Sequence, residues 1–122
     1  MEQKVHVIKK MAEYGSDGFN WRQQEFKSLL DDLGCDTNGS EYSDQFDCLA
    51  DSFERALNLI KTYKEKGECD EVKEFLEDVG TNVDDLDNDL CNLGDIDNVI
   101  DTMQSFLDTR DKSSDYIMFE CW

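Results

Sequence analysis

The side chains in this chain best able to do chemistry are carboxylates, and many of them recur at helical spacing. Asp44, Asp47, Asp51 and Glu54 stand three, four and three positions apart, which on a helix puts four acids on one face. Glu71, Glu74, Glu77 and Asp78 make a second set, and Asp84, Asp85, Asp87 and Asp89 crowd a third segment. Asp97, Asp101 and Asp108 share a face of a fourth. Arrays of this kind have three uses: they bind a hard cation, they supply a general acid and base, or they offer fixed negative charge to a basic surface.

The first two uses find little support in the spacing. A calcium loop of the helix-loop-helix type wants acids or amides at positions 1, 3 and 5, glycine at 6 and a bidentate glutamate at 12. Counted from Asp85, the sixth position is Leu90 and the twelfth is Ile96; counted from Asp36, they are Glu41 and Asp47. Both registers fail at the turn and at the glutamate. Zinc and iron-sulfur sites need clustered thiolates or imidazoles. Here the cysteines (Cys35, Cys48, Cys69, Cys91 and Cys121) are widely spaced, and His6 is the sole histidine. That spacing suits buried or half-buried thiols better than a disulfide framework. A cysteine nucleophile lacks an evident base, and no phosphate loop, dinucleotide fingerprint or nucleophile elbow is present. The expectation is a protein that is not an enzyme and carries neither cofactor nor metal.

Fixed charge remains. Thirty acids face twelve bases, for a formal charge of -18. Residues 1–30 balance at +1, so the later segments hold all the excess. From Asp31 to Glu54 eight acids stand without a base, and from Glu74 to Asp108 eleven do. Solvated helices ordinarily interleave Glu with Lys at four-residue spacing, which adds stability. Asp also outnumbers Glu by 19 to 11, although Asp is the poorer helix former. Contact with nucleic-acid phosphates is unfavourable for such a chain; contact with a basic protein is favoured.

The elements that must position these acids are mainly helical. Proline is absent, and 122 residues suit one domain. Residues 3–14 fit either a helix or a strand. Asn20 and Gln23 read as a capping box for a helix carrying Phe26, Leu29, Leu30 and Leu33 up to Gly34. The next helix is expected to start at Ser43 and run to Gly67, with Phe46, Leu49, Ala50, Phe53, Leu57 and Ile60 facing inward. Shorter helices should follow: one from Asp70 to Gly80, one capped by Thr81 or Asn82 and running to Gly94, and one capped by Asp95. The tail from Tyr116 to Trp122 favours strand; its aromatics can dock on the chain's own core or anchor a partner. The fold class is therefore mainly α: one domain over residues 1–122, with about five or six short helices and room for a small β pair between the terminal segments.

By size, helical content and charge, the chain resembles phage and mobile-element proteins that imitate DNA and block restriction or CRISPR enzymes. Acids four apart on a helix lie roughly 6 Å apart along its axis, close to the spacing of successive phosphates. The resemblance implies a partner with a basic nucleic-acid-binding cleft; the expected location, from the lack of an apolar leader at residues 1–7 and the spread of the cysteines, is the cytoplasm, that of the host for a phage product. An immunity protein that neutralises a basic toxin has the same general character. No segment approaches the length and apolarity of a membrane span, and the apolar helix faces also suit a homodimer.

Overall fold

The computed structural model describes residues 5–9, 12–14, 23–37, 45–110 and 112–121. They form five helices and an antiparallel sheet, a mainly α fold. The strands are β1 (Val5–Lys9), β2 (Ala12–Tyr14), β3 (Gln45–Leu49) and β4 (Tyr116–Cys121), and their order across the sheet is β2-β1-β4-β3. The helices are α1 (Gln23–Asp32), α2 (Ala50–Lys66), α3 (Asp70–Val79), α4 (Val83–Leu93) and α5 (Ile96–Thr109). Chain segments near the two ends do pair: Val5 lies opposite Cys121 and Val7 opposite Phe119. The sheet is larger than that pair, because β2 adds to β1 and β3 adds to β4.

Helix boundaries follow local chemistry. Gly67, Gly80 and Gly94 each take a positive φ at a helix end, and Gly80 is fully left-handed, its N–H turned back to Glu77 and Leu76. Asn82 caps α4 by accepting the Asp85 N–H at 2.8 Å, and Asp95 caps α5 by accepting that of Asp97 at 3.1 Å. At Gly34 the backbone is also left-handed, and a Cβ there would meet the Val79 side chain at 2.7 Å. Glycine therefore lets the end of α1 close onto α3. Asn20, the expected cap of the first helix, lies outside the described residues.

One expected helix start is wrong. Residues 45–49 are not the first turns of a helix from Ser43; they are β3, and α2 begins only at Ala50. The reason is alternation. Phe46 and Cys48 are buried, whereas Leu49, expected in the inward helical stripe, is 45 % exposed. Strand β4 supplies the ladder, with Phe46 opposite Phe119 and Cys48 opposite Ile117.

Helices cover the face of the sheet that carries Phe46, Cys48, Ile117 and Phe119. There Phe119 packs on Phe46, Phe26, Phe106 and Phe53 at ring distances of 4.9 to 5.8 Å. One aromatic cluster thus joins β3 and β4 to α1, α2 and α5. Further out, α1 packs on α4, and α2 packs on α5 and α3.

Candidate functional site

The acids expected to present charge are placed unevenly. Asp44 lies outside the described residues. Asp47 is on β3 and half-buried, so it does not share a helix face with Asp51 and Glu54, which are exposed on α2. The four-carboxylate stripe expected there is broken by the strand. On α3, Glu71, Glu74, Glu77 and Asp78 are all exposed. Asp84, Asp85 and Asp87 are exposed on α4, and Asp97, Asp101 and Asp108 on α5.

Asp89 differs from its neighbours. It is half-buried, its Oδ2 is enclosed without a hydrogen-bond partner, and its carboxyl meets that of Asp32 on α1. Burial first, and then the hydrogen bond and charge of Asp32, push its pKa up to about 7. Below that pH its carboxyl keeps a proton that it can share with Asp32 between α1 and α4, and it then presents less charge to solvent than its exposed neighbours.

Tertiary packing gathers several other acids at the C-terminal end of α2. The Lys64 ammonium is in ion-pair and hydrogen-bond contact with Asp97 and also feels Asp101 and Asp95, which together raise its pKa. Next to it, the Tyr63 hydroxyl donates to Asp87 with Glu68 nearby. That hydrogen bond leads the causes that push the tyrosine up to about 12. Five carboxylates from α4, α5 and the connection after α2 therefore surround two adjacent residues. Two of the five, Glu68 and Asp95, belong to none of the acidic sets picked out by spacing; along the chain Asp95 reads only as a cap.

A second acidic region borders the space between α2 and α3. Glu71 and Asp78 line hollows there together with Arg55, the one base between Lys27 and Lys61. The Arg55 guanidinium donates to Ser52 Oγ at 3.3 Å. Among the described residues it has no carboxylate within ion-pair distance.

Among the described residues no group of three or more His, Cys, Asp or Glu is placed to hold a metal ion, and no helix is long and apolar enough to cross a membrane. Of the cysteines, Cys35 and Cys48 are buried, Cys69 is half-buried and Cys91 is exposed. Contact with Cys35, then burial, pushes the Cys48 thiol far above its ordinary range, so it is not a poised thiolate. Iodoacetamide with peptide mapping should label Cys91 before Cys69, Cys48 and Cys35 in the native protein. Cys35 and Cys48 should lag by a factor on the order of 10³, since they react only through opening of the core. Labelling of Cys48 as fast as Cys91 would contradict this placement.

Comparison with family models, with curated proteins and with solved structures finds no match to this chain.

Proposed function

We propose that this protein is an acidic inhibitor that occupies the nucleic-acid-binding cleft of a basic protein, in the manner of phage or mobile-element proteins directed at defence nucleases. The observation that carries the reading is the exposure of the acids on rigid elements. Of the fourteen candidate acids within the described residues, all but Asp47 and Asp89 are exposed. Some have a structural use: Asp84 and Asp85 favour the α4 N-terminus, and Asp108 accepts from the Gln104 amide at 3.0 Å. The gathering of Glu68, Asp87, Asp95, Asp97 and Asp101 at one end of α2 is only partly explained that way: Asp87 accepts from Tyr63, Asp95 caps α5 and Asp97 pairs with Lys64, yet one ammonium does not balance five carboxylates, and like charges brought together oppose folding.

In such a complex, partner arginines and lysines would take the places they normally give to phosphates. Charge would speed association and select the partner, while apolar contact near the centre would supply much of the tightness. The test is capture from a host lysate at low salt, elution at high salt, and competition of the captured protein with duplex DNA. The expected partner binds DNA, and DNA displaces it. Changing Glu54, Glu74 and Glu77, which are exposed on α2 and α3, together to Lys should weaken capture about tenfold while leaving the helical circular dichroism unchanged. A partner with no affinity for nucleic acid, or capture indifferent to salt and to the triple change, would remove the mimicry reading. A toxin recovered as the salt-sensitive partner would instead place the chain among immunity proteins.

A further inference from the structure

We infer that the groove between α2 and α3 receives one aromatic side chain of the basic partner, flanked in that partner by Lys or Arg. The inference rests on the acidic-inhibitor reading and adds the apolar centre that reading lacks.

Two hollows of about 220 and 270 Å³ lie along this groove, and both are lined by Arg55 and Phe75, so they are neighbours. Leu59 and Phe75 wall the first; Leu33, Phe75 and Val79 wall the second. Each falls below the ~300–1,000 Å³ usual for small-molecule sites, which suits a single side chain better than a free metabolite.

Charge decides what kind of side chain. Glu71 belongs to the first hollow and Asp78 to the second. Seven residues of helix separate them by roughly 10 Å, with Phe75 between. A ligand lying along α3 thus meets a carboxylate, an apolar wall and a second carboxylate in turn. Arg55 stands at the junction with Ser52 Oγ as its hydrogen-bond acceptor. An anion drawn to it would have to approach Glu71, Asp78 and a net charge of -18. An aromatic ring meets no such repulsion. It can stack on the guanidinium face while its edges contact Leu59 and Phe75, and cations on either side of it match the two acids.

The probe is a fluorescein-labelled, alanine-rich helical peptide with two lysines seven positions apart and one tryptophan midway. Its controls carry alanine in place of the tryptophan, or glutamates in place of the lysines. By fluorescence anisotropy at low salt, the lysine–tryptophan peptide should bind about fivefold or more tightly than its alanine counterpart. Asn58→Trp, which fills the first hollow from an exposed rim position, should bring the two peptides to the same affinity. Thr62→Trp serves as a second filling variant, and circular dichroism and urea unfolding confirm that each is folded. Equal affinity for both lysine peptides overturns the groove assignment while the acidic surface stands. The groove assignment also fails if the tryptophan increment survives both filling variants, or if the glutamate-flanked peptide binds tightest. Failure of both lysine peptides to bind at all removes the acidic-surface reading as well.

Discussion

Phe119→Ala should cost this protein about 4–5 kcal/mol, a third or more of the ~5–15 kcal/mol that holds a typical domain folded. Phe119 is 1 % exposed and its ring is within 6 Å of four others, stacked on Phe46 and edge-on to Phe26 and Phe106. Removing a buried phenylalanine ordinarily costs ~3–5 kcal/mol through lost transfer energy and the cavity left behind. Aromatic pairs add ~0.5–1.5 kcal/mol beyond area, and here several are lost together. The site cannot collapse easily, because the rings facing it sit on three helices and a neighbouring strand. Urea unfolding followed by circular dichroism should show the midpoint lowered by about 2 M or more. Met118→Ala, one residue away on the same strand but 48 % exposed, should stay within about 0.5 kcal/mol of the parent. A Phe119→Ala loss below about 1 kcal/mol would mean that β4 is not docked on the helices as described.

That contrast between adjacent residues also bears on what the sequence could reveal. From Ala50 onward the helices could be read locally: Phe53, Leu57 and Ile60 keep a helical rhythm, Asn82 and Asp95 are good caps, and glycines mark the ends. Residues 45–49 could not. Phe46, Leu49, Ala50 and Phe53 satisfy a three-four rhythm, while Phe46 and Cys48 equally satisfy alternation. The choice between them is made by Tyr116–Cys121, a segment far away in sequence that supplies the ladder. A single-strand pattern holds no information about its partner, so the ambiguity has a physical cause.

The acids divide in the same way. Exposure of Glu71, Glu74 and Asp78 follows from their position opposite Val72 and Leu76 on α3. By contrast, convergence of Asp87 with Asp97 and Asp101 depends on how α4 and α5 meet the end of α2, which composition and spacing do not encode. Asp89 was legible in principle. It lies three residues after Leu86 and four before Leu93, both buried, and so sits in the row that α4 turns inward.

Replacing that residue, Asp89→Asn, should make the protein more stable at pH 8 and nearly level with the parent at pH 4. The folded Asp89 holds its proton up to about pH 7, against an ordinary 3.8. Between those values the native state binds a proton that the unfolded chain has released. Stability contributed by this group is therefore full below pH 3.8, falls as pH rises through the window, and stays lost above pH 7. A pKa moved from 3.8 to about 7 corresponds to ~4 kcal/mol at full burial. Solvent reaches part of this carboxyl, which reduces the expected effect to about 1–2 kcal/mol. Asparagine keeps the shape and offers the Asp32 carboxylate an N–H at every pH, while also relieving repulsion from Asp85, four residues back on α4. Acidification relaxes the repulsion of the other carboxylates in both proteins, so the difference between variant and parent isolates this site. Urea midpoints measured for both from pH 4 to pH 8 should diverge progressively, with nearly all of the difference developed within the window. Parallel curves would show that Asp32 and Asp89 do not share a proton across α1 and α4, and would return Asp89 to the exposed charge of the surface.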